Sequence, residues 1–155
     1  MTAPSRSPAT ADPEDHGPLT GVRVIDLTQV LMGPFCTQLL GDFGADVIKI
    51  EPPSGDTSRG IGPMKSPGMG HDFLHINRNK RGIVLDLKHP EGLAAIKRLV
   101  ETADVLVYNV RPQAMARLGL QYEALAEINP RLIYVGVFGY GQDGPYAAKP
   151  AYDDL

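Results

Sequence analysis

"VRVIDLTQVLMGPFCTQLLGDFGADVIKIE" occupies residues 22–51, and its reading decides the fold. "VRVIDL" (22–27) and "DVIKIE" (46–51) have the β-branched composition of strands. Between them, "GPFCTQLLGDFGA" (33–45) reads as a helix. Pro34 suits a first helical position, where no backbone donor is missed, and Gly44 suits a helix stop.

The same alternation continues downstream. "GIVLDL" (82–87), "DVLVYNV" (104–110) and "RLIYVGVFG" (131–139) are further strands. "HPEGLAAIKRLVETA" (89–103) is a helix with Pro90 near its start and apolar residues at Leu93, Ile96, Leu99 and Val100. Shorter helical pieces surround "QAMARLG" and "YEALAEIN". Residues 52–70, "PPSGDTSRGIGPMKSPGMG", form a loop too long to be a mere connection.

Near-continuous apolar strands separated by helical crossovers predict an α/β fold. Its sheet is open, doubly wound and mainly parallel, covered on both faces, with right-handed crossovers. Ligands of such sheets sit beyond the carboxyl ends of the strands. The segments of interest are therefore 28–33, 52–70, Lys88, 109–117 and 139–152.

Composition narrows the function. The chain has 155 residues, 43% hydrophobic and 21% charged, which reads as one soluble globular domain. A formal net charge of −3 argues against nucleic acid as a partner. No apolar run reaches membrane-spanning length, so no membrane partner is expected. Residues 1–18 carry acids and no hydrophobic segment. They predict a disordered tail rather than a signal or transit peptide. The single cysteine, Cys36, lies in an apolar helical pattern and reads as a buried structural thiol in a reducing cytoplasm.

Several site chemistries fall away. The turn after the first strand, "TQVLMGPF", has one glycine where a dinucleotide turn has three, and Leu31 and Met32 would block a pyrophosphate. Glu51 is accordingly a strand-end or surface acid. The histidines lack metal-ligand spacing, so no metal site is expected, and His71 and His75 read as loop or core residues. No serine sits in a nucleophile elbow. What remains is a set of cations at strand ends: Arg78, Lys80 and Arg81 before the third strand, Lys88 after it, and Arg111 and Arg117 after the fourth. These match a ligand with several phosphates, or they are solvated basic residues. Spacing leaves both readings open, with Lys88, Arg111 and Arg117 ahead of Arg78 and Lys80.

Longer stretches carry a resemblance. They are "LTGVRVIDLTQVLMGPFCTQLLGDFGADVIKIEPPSGD", "NRNKRGIVLDLKHPEG", "ADVLVYNVRPQAMARLGL", "INPRLIYVGVFGYGQDGPY" and "AYDDL". In content and order the chain resembles the N-terminal part of the class III CoA-transferases, a group that includes formyl-CoA and carnitine CoA-transferases and α-methylacyl-CoA racemases. The resemblance covers residues 19–155 and implies a Rossmann-like CoA-binding lobe of an interlocked homodimer. Coenzyme A and acyl-CoA are implied as substrates, with no permanently bound cofactor. By position, Leu31 and Met32 lie beside the CoA thiol end, and Leu85, Asp86, Leu87 and Lys88 line the adenine and phosphate end. Asn109, Val110 and Arg111 follow the fourth strand against the coenzyme, Arg117 is a phosphate partner, and Lys149 and Tyr152 fall in a further contact segment. Leu31 and Met32 stand where some members carry polar or smaller residues, and Pro52 where some carry an arginine.

The mechanism implied is covalent. An aspartate attacks the donor thioester, becomes an aspartyl-CoA thioester, and yields CoA to an acceptor carboxylic acid. That aspartate falls roughly thirty residues past the family's tyrosine, matched here by Tyr152. It is therefore expected beyond Leu155, and no catalytic residue is expected within this chain. Asp153 and Asp154, which precede Leu155, read as first-turn helix acids. The chain thus reads as an inactive N-terminal portion ending before the nucleophile and second domain. Two alternatives stand beside it. Racemases read "GHD" where this chain has Ala151, Tyr152 and Asp153, and a phenol with pKa near 10 shuttles protons poorly at neutral pH. A non-catalytic fragment that holds CoA or a partner is the other.

Overall fold

The computed structural model describes residues 17–151. Five strands form one sheet: β1 (Arg23–Leu27), β2 (Asp46–Glu51), β3 (Lys80–Val84), β4 (Val105–Tyr108) and β5 (Ile133–Gly136). Every pairing is parallel, in the order β3-β2-β1-β4-β5. From β1 the chain first builds outward through β2 to β3, then returns to lay β4 on the other side. The connections therefore reverse direction between β1 and β4, and the crevice of an open α/β sheet lies at that switch point.

The expected strands are all present, with one shift in register. β2 has the expected bounds, whereas β3 spans Lys80–Val84 rather than residues 82–87. As an edge strand, β3 tolerates Lys80 and Arg81, and it needs no continuous apolar run. Leu85, Asp86, Leu87 and Lys88 consequently form the connection to the next helix. The 52–70 stretch contains a short 3-10 turn (Thr57–Gly60), and a six-residue helix follows it (α2, His71–Ile76).

The remaining helices follow their signals, except that the first begins at Met32, two residues ahead of Pro34. α1 (Met32–Asp42) ends where Gly44 takes φ +94°, a conformation that other residues resist. α3 (Pro90–Val100) starts on Pro90, and the His89 side chain accepts a hydrogen bond from the Glu91 N–H. α4 (Pro112–Arg117) and α5 (Tyr122–Ile128) complete the β4–β5 connection.

Strand alternation divides the sheet into two unlike faces. On one, Ile25, Leu27, Ile48, Ile50, Leu106 and Tyr108 pack with Ile96 and Val100 of α3, Met115 of α4 and Leu125 of α5. On the other, Val24, Val47 and Val107 pack with Leu40 of α1. Toward the carboxyl ends that second face turns polar, with Asp26, Lys49 and Glu51 all buried.

Three local expectations change or fall outside view. Cys36 is exposed, because it lies on the outer side of α1 while Thr37 and Gln38 face the sheet. Glu51 is a strand-end acid, yet it is 4% exposed rather than on the surface. Of the tail expected over residues 1–18, residues 1–16 lie outside the described residues. Gly17 opens a turn in which its carbonyl accepts from the Thr20 N–H at 3.1 Å.

Leu106 lies at the centre of the larger core and is fully buried. Leu106→Ala should lower stability by about 2–5 kcal/mol. Urea denaturation measures this; a loss well below that range would mean the site collapses around the smaller side chain.

Candidate functional site

The structure sorts the basic residues by which end of the sheet they occupy. Arg78 pairs with Asp42 at 2.6 Å, Lys80 with Asp26 at 3.0 Å, and Arg81 with Asp46 at 2.7 Å. These three precede or open β3, at the amino ends of the strands. All three are paired with carboxylates; the Lys80 side chain is 2% exposed, whereas those of Arg78 and Arg81 are 47% and 66% exposed. Lys80 is buried. Burial pulls its pKa down, against the neighbouring Asp26 carboxylate.

At the carboxyl ends the picture differs. A cleft of about 510 Å³ opens beyond β4 and β5. Asn109, Arg111, Arg117 and Lys149 line it together with Phe138 and Tyr140. Among the described residues, no ion pair involves Lys88, Arg111, Arg117 or Lys149. Arg111 caps the start of α4 and Arg117 is in its last turn, so about 9 Å of helix rise separates the backbone positions of two arginines that line one cleft. Lys149 lies over the Tyr146 ring, 4.0 Å from its centroid. The loop that carries it folds back on β5, because Gly139 has no side chain. A Cβ there would meet that of Ala151 at 2.0 Å.

The other candidates occupy neighbouring places. Lys88 is exposed beyond β3, on a loop in which its N–H donates to Asp86 Oδ1 at 3.0 Å. Three strand spacings separate β3 from β4, roughly 14 Å, so a ligand touching both Lys88 and the cleft must be long. Leu31 and Met32 are 40% and 56% exposed at the entry to α1. Val110 is exposed next to Arg111. The Asn109 carboxamide is engaged with the backbone of Gln29. His71 and His75 are on α2 and exposed, neither loop nor core.

The end of the chain is a separate matter. Tyr152, Asp153, Asp154 and Leu155 lie outside the described residues. Neither the contact expected of Tyr152 nor the helix turn expected at Asp153 and Asp154 is therefore placed in the fold. The expectation of a nucleophile beyond Leu155 likewise concerns residues that this chain does not contain.

Sequence reasoning missed the polar network under the turn after β1. Lys49 Nζ, 2% exposed, donates to Asp56 Oδ2 and to the Thr28 carbonyl, both at 2.9 Å. Glu51 accepts from Arg59 through both carboxylate oxygens, at 2.6 and 2.7 Å. It also accepts from the Asp56 N–H at 2.9 Å. Asp26 takes Thr37 Oγ1, Thr28 Oγ1 and Lys80 Nζ. One signal was visible: the charged residues at alternate positions of "DVIKIE", which put Lys49 and Glu51 on the same face.

Residues 19–155 match CoA-transferase family III, and the chain belongs to that family. It is 47% identical over 148 residues to succinate–glutarate CoA-transferase of Agrobacterium fabrum, covering 91% of this chain and 37% of the relative. Against acetyl-CoA:oxalate CoA-transferase of Acetobacter aceti the identity is 50% over 147 residues, covering 94% and 38%. A CaiB/BaiF family protein from Brucella suis superposes with TM-score 0.85 at 42% identity, over 89% of this chain and 38% of that one. The chain thus spans little more than a third of the length of these relatives. Among the described residues, no helix is long and apolar enough to cross a membrane.

The buried carboxylates make stability depend on acidity. Burial alone would push the Glu51 and Asp56 carboxyls upward. The Arg59 guanidinium and Asp56 N–H on Glu51, and the Lys49 ammonium and Ser58 donors on Asp56, outweigh it and hold both below their ordinary values. The unfolded chain therefore binds protons at a higher pH than the folded one. The urea midpoint should show no loss from these groups above about pH 5 and should fall as pH drops through about 4 and below. A midpoint unchanged down to about pH 3 would contradict the pairing.

Proposed function

We propose that this chain is the CoA-holding part of an enzyme that moves CoA from an acyl-CoA thioester to a free carboxylate. The observation that carries this reading is the convergence of Arg111, Arg117 and Lys149, without carboxylate partners among the described residues, on one cleft of a family III chain. Coenzyme A carries a pyrophosphate and a 3′-phosphate, and forked guanidinium groups match such oxygens in pairs. Lys88, with Leu85, Asp86 and Leu87 beside it, takes the adenine and phosphate end. Val110 and the 28–32 turn, with Leu31 and Met32, face the thiol arm, and Tyr152 belongs to the same contact segment as Lys149.

In the complete protein an aspartate beyond Leu155 is the nucleophile. Its carboxylate attacks the donor thioester, forming a mixed anhydride and releasing CoA thiolate. The thiolate attacks the aspartyl carbonyl, giving an aspartyl-CoA thioester and freeing the donor acid. The acceptor carboxylate then attacks that thioester, and the released thiolate takes the acceptor acyl group, restoring the aspartate. Each step exchanges one acyl bond for another, so the sequence needs no ATP, and division into steps lowers each barrier. The two relatives above are named for the short dicarboxylates succinate, glutarate and oxalate, and we place the acceptor in that class. The complete enzyme is read as a cytoplasmic homodimer, and this chain alone as a binder of CoA without turnover.

Arg117→Ala should weaken CoA binding by about 1.5–3 kcal/mol, the size of a hydrogen bond to a charged group. Affinity should also fall with added salt. Titration calorimetry reads both; unchanged affinity in the variant would overturn the assignment. Incubation of the chain with acyl-CoA donors and carboxylates should give no product, and repeated turnover would place a nucleophile within these residues.

A further inference from the structure

The crevice between β1 and β4 contains a turn held more firmly than its packing requires. Residues 28–32 cross it between the end of β1 and the first residue of α1. Val30, Leu31 and Met32 are 44%, 40% and 56% exposed, so the turn buries little apolar surface. Even so, three side chains from other parts of the fold fix three successive residues of its backbone. Lys49 of β2 donates to the Thr28 carbonyl at 2.9 Å. Asn109, just past β4, accepts from the Gln29 N–H at 3.0 Å and donates to the Gln29 carbonyl at 2.8 Å. Asp56, in the loop after β2, accepts from the Val30 N–H at 3.2 Å.

Val30 shows what these contacts achieve. Its φ is +74°, a region in which a β-branched residue is strained. Such a conformation persists only where its surroundings over-determine it, and it clusters at ligand sites. Here the surroundings are buried and charged. Asp56 is 2% exposed, takes Lys49 on Oδ2, and takes Val30 and both Ser58 donors on Oδ1. Asn109 also lines the cleft with Arg111 and Arg117. One carboxamide thus joins the cation cleft to the turn across the switch point.

We propose that Asn109 and Asp56 are positioning residues for the thiol arm of CoA. They hold the 28–32 turn so that Val30, Leu31 and Met32 form the surface along which the arm lies, with its phosphates in the cleft. This rests on the CoA reading above. Neither residue reaches the reacting atoms; both act through the turn's backbone.

The test compares two ligands on the 155-residue chain by titration calorimetry. One is CoA; the other is adenosine 3′,5′-bisphosphate, which keeps a nucleotide and phosphates but lacks the thiol arm. Asn109→Ala should weaken CoA about tenfold, the effect of losing one or two neutral hydrogen bonds, and weaken the bisphosphate by a smaller factor, because Asn109 also lines the cleft. Asp56→Asn is the second variant. An amide has one acceptor oxygen where the carboxylate has two, so either Lys49 or the Val30 and Ser58 donors lose a partner. It too should discriminate between the ligands, with faster hydrogen exchange at the Val30 amide. A urea midpoint for each variant shows that it is folded. Equal losses for both ligands, or none for CoA, in the variants that fold would overturn the proposal while leaving the CoA reading in place. Binding of neither ligand by the unaltered chain would overturn the CoA reading itself, and the proposal with it.

Discussion

A single buried ammonium organises the site end of this molecule. Lys49 stands in the middle of β2, 2% exposed, and ends on the Asp56 carboxylate and the Thr28 carbonyl. An isolated charge at such depth would be prohibitively costly, and its pairing with a hydrogen-bonded carboxylate makes it tolerable. That constraint fixes the loop after β2 against the turn after β1. Asp56, held there, caps the 3-10 turn through the Ser58 N–H, while its own N–H donates to Glu51. Glu51 in turn binds Arg59, whose guanidinium lies 3.7 Å from the Phe73 ring centroid of α2. The Gly- and Pro-rich stretch is therefore anchored at its first third by a chain of charged contacts, not by apolar burial.

A second network does the same for the amino end of β3. Lys80 joins Asp26 of β1, the Pro34 carbonyl of α1 and Asn77 past α2. With Arg78 and Arg81 also paired, the positive charge at the start of β3 is matched by carboxylates. Beyond β4 and β5 the cations have no such partners among the described residues. On the carboxyl side, where open α/β sheets take ligands, paired charge lies beside β1 and β2 and unpaired cations gather beyond β4 and β5. Lys97, Arg98 and Arg131 also lack ion pairs among the described residues, but they lie on α3 and before β5, away from the cleft.

Much of this was legible in the sequence, and the residues show why. Strand and helix order followed from apolar periodicity and from Gly44 and Pro90, because local sterics govern those features. The carboxyl-end loops could be named once a parallel sheet was inferred, and Arg111 and Arg117 fall in one of them. The β3 bounds were not legible because an edge strand carries a weaker pattern, so Lys80 and Arg81 read as preceding the strand and 85–87 as part of it. The partners of Lys49, Lys80 and Asn109 were illegible for a different reason. Each bridges segments 7 to 80 residues apart, and no local pattern encodes such a contact. The exposure of Cys36 was hidden because α1 presents Phe35 and Leu39 outward, and an apolar pattern alone does not say which face the sheet covers.

On the reading proposed here, a polyphosphate ligand with a thiol arm lies across the carboxyl ends of β1, β4 and β5. The most direct measurement is an amide chemical-shift map of the 155-residue chain titrated with CoA. The account predicts that the largest changes fall at residues 28–32, 109–117 and 139–149, with a smaller set at 85–88. Changes confined to residues 78–81, or scattered without reference to the sheet's carboxyl ends, would contradict it.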